Sequence, residues 1–252
     1  MKKVFMITLF AVVGMIFSEY GFAQEKKYLV GVEDTSYYPH YAVKNGKYTG
    51  FACDLLEAFA KKHGYKFSYK PLPVMRLHRD FIEKKLDFLY PNNPEWLTEL
   101  KGNVTISYSK AAVNVTDGVM VLPENKGRGL EKLRYLVTIQ GFTLPAYTAL
   151  IKDNKVRLSE SYEMKGLIGS VIGKNADGAY ITVDCANHYL RTVLQKPDAL
   201  VFDPGLPYDV AAHQLSTILY PEIIKEFDTF MNEEKQLAEQ LKADYRITEI
   251  SK

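Results

Sequence analysis

Segments with the apolar alternation of β-strands follow one another along the chain, separated by segments with the periodicity of amphipathic helices. Residues 28–34, YLVGVED, alternate and are rich in β-branched residues, so they predict a strand. In the later segment GFACDLLEAFAKKHG, Phe51, Leu55 and Phe59 fall on one helical face, and Gly64 supplies the stop. The same order recurs in the second half of the chain, before a helical C-terminal tail, and it predicts an α/β fold with largely parallel sheets.

The first residues predict export. A basic MKK start, an apolar VFMITLFAVVGMIF run and a small-residue exit are typical of a secretory signal peptide at residues 1–23, with cleavage after Ala23. The alternative is a retained membrane anchor, but the apolar run is shorter than the roughly 20 residues that a spanning helix needs. No cysteine lies near the cleavage point, so we expect a periplasmic protein without a lipid anchor.

Charge and the few chelating residues argue against several functions. The sequence carries 32 Lys and Arg against 30 Asp and Glu and has no basic run, so nucleic acid is not an expected partner. The histidines fall into no metal-site spacing and no G-x-S-x-G is present, so we expect no metal, no cofactor and no hydrolase chemistry. Cys53 and Cys185 are predicted to be two separate buried thiols, with a disulfide as the alternative.

Residues 73–96 concentrate side chains suited to ligand binding. An amphipathic run that contains Arg76 leads into an apolar strand, LDFLY, which is expected to break at a Pro-Asn-Asn-Pro turn. In one interpretation the strand end and the helix start face one small ligand. In the other, the segment is a solvated helix, a buried strand and an ordinary turn.

The ordered set of motifs resembles the extracellular solute-binding proteins of family 3, the type II periplasmic proteins that deliver amino acids and similar solutes to ABC transporters. The motifs that carry the resemblance are Asp34 followed by Tyr37 and Tyr38, YTGFACDLLEAFAKKHGYKFSY, FIEKKLDFLY, ISYS, LVTIQGFT and ADGAYITVD. No single motif is specific, but together they cover nearly the whole mature chain.

The resemblance implies a two-lobed α/β fold, in which each lobe is a mixed, mostly parallel sheet flanked by helices and a ligand cleft lies between the lobes. It places residues 24–112 in the first part of lobe I, 113–212 in lobe II, and 213–252 in the returning part of lobe I with the C-terminal helix. The chain would cross between lobes near residues 110–118 and 208–216, and closure would be a hinge motion.

One departure from the family concerns the anion site. Its amino-acid binders usually carry an arginine in a T-x-x-R turn after the third strand, which grips the ligand's carboxylate. The corresponding segment NNPEWLTELKG has no arginine, and its nearest cation is Lys101. LPVMR resembles the P-W-x-R element of some members, with Met75 for the aromatic residue, so Arg76 at a helix start is predicted to replace the contact. The alternative is a surface ion pair between Arg76 and Asp80.

The other expected ligand contacts come from both lobes. The aromatic candidates, which would pack around an apolar or cationic group, are Tyr37, Tyr38, Tyr90 and Trp96. The polar candidates are Asp34, Asn92, Asn93, Gln140, Thr143 and Asp184, of which the last resembles the acid that holds a ligand's ammonium group. Core packing is the alternative for the aromatic residues, and local turns or caps are the alternative for the asparagines and Asp34.

We expect a periplasmic binding protein that captures a small polar solute, with amino-acid-like ligands among the candidates, for an inner-membrane ABC permease. We expect it to be a monomer. One alternative is a ligand-independent or sensory module that binds a protein partner. The other is an enzyme similar to cyclohexadienyl dehydratases, which would need a positioned acid or base such as Glu33, Glu95 or Lys101. Because these residues form no compelling pair, we predict no enzymatic activity.

Overall fold

The structure is a computed structural model that describes residues 26–249. The predicted signal peptide lies outside these residues. The strands of the described part are β1 Lys26–Glu33, β2 Ala42–Lys44, β3 Lys47–Thr49, β4 Tyr65–Leu72, β5 Phe88–Asn92, β6 Ser107–Tyr108, β7 Val113–Val121, β8 Tyr135–Ile139, β9 Arg157–Ser161, β10 Gly178–Thr182, β11 Val201–Phe202 and β12 Asp209–Thr217. The helices of the same part are α1 Phe51–His63, α2 Val74–Ile82, α3 Thr98–Lys101, α4 Thr148–Lys152, α5 Met164–Ile172, α6 Val183–Thr192, α7 Pro221–Glu233 and α8 Lys235–Asp244.

One large sheet runs through the molecule in the order β4-β1-β5-β12-β7-β10-β8-β9. The group β4-β1-β5 is parallel, and so is the group β10-β8-β9. We call the parts built around these two groups lobe I and lobe II. The long strands β7 and β12 lie between them and pair antiparallel, from Asp209 opposite Asp117 to His213 opposite Val113. The predicted mixed α/β architecture is confirmed, while the exact lobe boundaries stay a prediction.

Helix α1 shows how the sequence pattern leads to packing in lobe I. Its residues Leu55 and Phe59 are fully buried, and the Phe59 ring packs against Phe227 and Phe230 of α7 with centroids 5.1 and 5.5 Å apart. Each such ring contributes about 1.5–3 kcal/mol through burial. The helix ends as expected at Gly64, which adopts a left-handed conformation with φ 68°.

Three local predictions were wrong. Strand β5 does not break before Pro91 but continues to Asn92, because its pairing with β12 shifts register there and leaves room for a residue without an N–H. The motif ADGAYITVD resembles an aspartate-containing strand of the family, but β10 stops at Thr182 and Asp184 lies in the first turn of α6. The C-terminal tail is two helices, which meet at Glu234.

Both cysteines are free, which confirms the prediction of two separate thiols. Cys185 is fully buried, whereas Cys53 is only half-buried. Burial raises the pKa of the Cys53 thiol to about 12. Between residues 26 and 249, the chain has no helix with both the length and the apolar character needed to cross a membrane.

Candidate functional site: a cleft between the lobes

A cavity lies between the lobes, where strands of both groups end. The lining residues from lobe I and β12 are Glu33, Tyr37, Tyr41, Val74, His78, Trp96, Leu97 and His213. The lining residues from lobe II and β7 are Asp117, Gly141, Phe142, Thr143 and Thr182. The empty space is about 470 Å³, and part of it is open to solvent. The enclosed part of the cavity is small in this conformation, so a solute of several carbon atoms would also occupy the part that is open to solvent.

Strand ends and a helix start bring these residues together. Glu33 is the last residue of β1 and Thr182 the last of β10, while the loop at 141–143 follows β8. Val74 and His78, four residues apart, lie on one face of α2 at its start. Because the carboxyl ends of parallel strands meet at one edge of a sheet, the loops of both lobes face the same space.

Tyr37 of lobe I reaches across the cleft into lobe II. The Tyr37 hydroxyl lies 2.6 Å from Thr182 Oγ1. It also accepts a hydrogen bond from the Thr182 backbone N–H at 3.0 Å. The Thr182 hydroxyl in turn donates to the Asp117 carboxylate, so the Tyr37 hydroxyl is the donor to Thr182. The Cys185 thiol donates to the Tyr37 carbonyl at 3.3 Å. These bonds hold the lobes together in a closed arrangement.

A second contact between the lobes involves Gly141. This residue has φ 81°, a left-handed conformation that favours glycine, and a Cβ built on it would lie 3.6 Å from Val74 Cβ. The loop after β8 therefore lies against the start of α2. Together with Tyr37, this contact closes the cleft from two sides.

Glu33 is a buried acid in the cavity wall, with only 3% of its surface exposed. The Tyr41 hydroxyl donates to Glu33 Oε2 at 2.5 Å. Burial raises the pKa of Glu33 to about 7; the Tyr41 hydrogen bond opposes this rise and the nearby Asp117 carboxylate adds to it. Glu33 therefore changes charge near neutral pH.

Asp117 is the second acid of the cavity and lies in the middle of β7. Burial raises the pKa of Asp117 to about 6, the Thr182 hydrogen bond opposes the rise, and Asp209 adds to it. Two carboxylates thus face one small space. Each of them accepts a hydrogen bond from a neutral hydroxyl group.

The two histidines of the lining carry no positive charge near neutral pH. Burial, together with the Lys101 charge, lowers the pKa of His78 to about 4. Burial and the neighbouring His40 lower the pKa of His213 well below its usual value. The Nδ1 atoms of His78 and His213 have no hydrogen-bond partner among the residues described. His213 packs against Trp96 with ring centroids 5.7 Å apart.

Three of the contacts predicted from the sequence line the cavity, namely Tyr37, Trp96 and Thr143. Glu33, considered from the sequence as an acid or base, also lines it. Three other candidates are exposed and lie outside the lining, namely Asp34, Arg76 and Gln140. Asp80 does not pair with Arg76 but lies 3.3 Å from Lys70 Nζ and 3.9 Å from Lys85 Nζ.

The remaining candidates also lie outside the lining and contact other parts of the protein. Asn92 donates to Ser216 Oγ at 2.8 Å, and Asn93 donates to the Ala212 carbonyl at 3.0 Å. Tyr90 is buried, with a hydroxyl that has no partner within the described range. Direct contact of these residues with a ligand stays a prediction.

Tyr38 and Asp184 also lie outside the lining of the cavity. The Tyr38 ring packs against His188 at 4.5 Å, with Lys44 Nζ 4.9 Å from its centroid. Asp184 accepts the Thr248 N–H at 3.0 Å. Asp184 Oδ2 also lies 3.8 Å from His40 Nε2, but burial lowers the pKa of His40 to about 3, so the pair is not an ion pair near neutral pH.

Several lining residues were not identified from the sequence, above all Tyr41, His78, Asp117, Thr182 and His213. Asp117 did carry a signal, because a carboxylate inside the apolar strand VNVTDGVMV needs a polar environment. His213 and Thr182 stand in strands without any comparable signal.

Comparison with known proteins gives the same architecture. The chain is similar to an ancestral arginine-binding protein bound to arginine, with a TM-score of 0.70 and 16% identity over 88% of this chain and 98% of that one. It is similar to the arginine-, lysine-, histidine-binding protein ArtJ from Geobacillus stearothermophilus, with a TM-score of 0.68 and 16% identity over 90% and 97% of the two chains. It is also similar to an ancestral amino acid-binding protein described as a precursor of cyclohexadienyl dehydratase, with a TM-score of 0.68 and 19% identity over 87% and 95%. At these identities the similarity shows the two-lobed fold.

The sequence itself matches one family. No curated protein matches the chain, but the family model described as bacterial extracellular solute-binding proteins, family 3, matches residues 28–252. This confirms the resemblance carried by the sequence motifs. The chain belongs to the bacterial extracellular solute-binding proteins of family 3.

Proposed function

We propose that this protein, as a periplasmic monomer, binds a small polar, amino-acid-like solute between its lobes and delivers it to an inner-membrane ABC permease. The observation that carries the proposal is the cavity, because each lobe supplies polar and aromatic side chains to it. A ligand that contacts both lobes binds the closed arrangement better than an open one, so binding and closure are coupled.

The walls of the cavity suit a polar solute. Glu33 and Asp117 supply charge, the Thr143 side chain is exposed at the rim, and Trp96 and Phe142 supply aromatic surface. Such a combination of a mostly apolar lining with a few polar groups is typical of small-molecule sites. The amino-acid ligands of the proteins with similar structures support the same class of solute.

A thermal-shift screen of the purified protein against amino acids, amines and small acids tests this function. A ligand at 100 times its Kd adds about 2.7 kcal/mol, which raises the Tm of a chain of this size by about 5–10 °C. Trp96→Ala is expected to abolish the shift, whereas the matched change Tyr162→Ala, at a side chain 84% exposed, is expected to preserve it. The absence of a Tm shift with every compound of the panel, or an undiminished shift in Trp96→Ala, would count against the proposal.

A second candidate function is catalysis, favoured by one observation. Glu33 is an acid in the cleft whose pKa, raised to about 7 by burial, suits proton transfer near neutral pH. One of the similar structures belongs to a precursor of cyclohexadienyl dehydratase. Assaying cyclohexadienyl substrates for product formation separates the two functions: turnover that Glu33→Gln abolishes supports the enzyme, and binding without turnover supports the transport protein.

A further inference from the structure

We infer that the cleft recognises a protonated amine, so that its ligand is a small organic cation that needs no carboxylate group. The inference rests on the proposed solute-binding function and names its ligand class. It follows from the charges that line the cavity, from the way they are partnered, and from the aromatic rings beside them.

The cavity has an acidic lining without a basic counterpart. Glu33 and Asp117 are its carboxylates, and no lysine or arginine of residues 26–249 is among its lining residues. His78 and His213 are neutral near pH 7 because burial lowers the pKa of each ring. The site therefore attracts positive charge and offers no cationic side chain to an anion.

Three basic residues on α2 and α3 do not line the cavity. Arg76 and Arg79 are exposed on α2. Lys101 is buried, but its ammonium group donates to the Asn93 carbonyl and lies 5.4 Å from the centroid of the Tyr108 ring. None of the three is placed to grip a ligand's carboxylate in this arrangement.

The two acids lack a counter-charge. Neither Glu33 nor Asp117 forms an ion pair with any residue in the part of the chain that the structure describes. Each receives a hydrogen bond from an uncharged hydroxyl, of Tyr41 and Thr182 respectively. A buried carboxylate without a cationic partner is unfavourable, and a bound ammonium group would supply the missing charge.

Aromatic rings complete the environment of a cation. Trp96, Phe142 and the stacked pair Tyr37 and Tyr41, whose centroids are 5.4 Å apart, all line the cavity. The faces of such rings attract ammonium groups, most strongly where water is excluded. The competing possibility is an anion at the start of α2, where Val74 lines the cavity and no side chain of the described residues caps the helix. Ligands that differ only in a carboxylate separate the two.

Affinity should depend on pH in a direction that identifies the charge of the ligand. The titratable groups that face Glu33 and Asp117 from the surrounding elements are Tyr37, Tyr41, Tyr48, Tyr180, Cys185 and Asp209. The tyrosines and the thiol have raised pKa values and stay neutral, as does His213 with its lowered pKa. Asp209 accepts a hydrogen bond from the Tyr180 hydroxyl at 2.6 Å, and its charge adds to the rise of the Asp117 pKa.

A cation that needs ionised Glu33, with its pKa of about 7, binds on the order of 20-fold more tightly at pH 7.5 than at pH 5.5. Aliphatic amines stay protonated throughout this range. An anionic ligand would show the opposite trend, because it is repelled as the two carboxylates ionise.

The test is calorimetric titration of the full protein with three matched pairs: putrescine and ornithine, agmatine and arginine, ethanolamine and serine. The two members of each pair differ by one carboxylate. The inference predicts that in at least one pair the amine binds tenfold or more tightly than the amino acid, with affinity rising from pH 5.5 to pH 7.5. Tighter binding of the amino acid in every pair overturns the inference and leaves the solute-binding function intact. If none of the six compounds binds, the inference is overturned, and the solute-binding function is then decided by the wider thermal-shift panel.

Variants locate the charge. Glu33→Gln and Asp117→Asn keep the shape of each side chain and are expected to weaken the binding amine at least tenfold, and Glu33→Gln should also flatten its pH dependence. Glu99→Gln, the same change at an exposed residue outside the cavity, should leave the affinity unchanged. Unfolding curves confirm that each variant is folded. Full affinity in both cleft variants would contradict the assignment.

Discussion

Replacement of Glu33 by glutamine should remove a pH dependence of stability that originates in the cleft. Burial raises the folded-state pKa of Glu33 from 4.5 to about 7. A raised folded pKa means that the folded protein holds the proton more tightly than the unfolded chain. The stability from this group is therefore fully present below about pH 4.5 and is lost as the pH rises through about 7.

The size of the effect follows from the same two values. The difference of about 2.5 pKa units corresponds to about 3 kcal/mol in total, of which about 2.5 kcal/mol falls between pH 5 and pH 8. Glutamine cannot ionise, so Glu33→Gln should lose less stability than the wild type over this interval. Asp117, whose pKa is raised to about 6, contributes with the same sign in both proteins.

Urea unfolding of the ligand-free protein at pH 5 and pH 8 measures the change directly. We compare the free energy of unfolding of Glu33→Gln with that of the wild type at each pH. This difference should rise by about 2.5 kcal/mol from pH 5 to pH 8 in favour of the variant, which corresponds to about 5–10 °C in relative Tm. Glu99→Gln, an exposed glutamate, is the matched control and should follow the wild type. Parallel curves for the wild type and Glu33→Gln would refute the argument that Glu33 is buried and uncompensated.

Three further predictions concern the closed cleft and the packing around it. Tyr37→Phe removes the hydroxyl that joins the lobes and should cost about 1–3 kcal/mol in urea unfolding, whereas Tyr38→Phe should cost little; equal losses would contradict the bridge. Gly50→Ala should lower the Tm far more than Gly46→Ala, because a Cβ at position 50 would lie 2.9 Å from a backbone atom, whereas a Cβ at position 46 has no atom within 4 Å. Similar Tm values for the two variants would contradict this close packing at Gly50. Thiol reagents at pH 8 should label both cysteines quickly only after unfolding, because burial raises both thiol pKa values; fast labelling of two thiols in the native protein would be inconsistent with this.

The elements of the fold were largely readable from local patterns. Helix α1 follows from its apolar face and Gly64, and α2 from the spacing of Val74, Leu77 and Phe81, because a 3.6-residue period gathers these side chains on one side. Strand β5 was harder to delimit, since Pro91 signals a turn unless the neighbouring strand shifts its register.

The site was less readable, because single-residue offsets decide which way a side chain points. Glu33, the last residue of β1, lines the cavity, whereas Asp34, one residue beyond the end of the strand, is exposed. On α2 the helical period puts Val74 and His78 on the cleft side and Arg76 on the opposite side. The sequence motif located the right segment but not the right residue within it.

Two residues of the cavity wall depend on strand pairing between distant parts of the chain, which no local sequence pattern reveals. Asp117 and His213 reach the cavity because the crossing strands β7 and β12 pair, although nearly a hundred residues separate them along the chain. Such residues become visible only when the topology is known.

The most direct test of the central claim uses the fluorescence of Trp96, the only tryptophan in the sequence and a wall of the cavity. Titration with the tightest-binding amine of the matched pairs should change the Trp96 emission with the same Kd as calorimetry, and Asp117→Asn should weaken both signals together. A compound that binds by calorimetry and leaves the Trp96 emission unchanged, with equal affinity for wild type and Asp117→Asn, would show that the solute does not bind between the lobes.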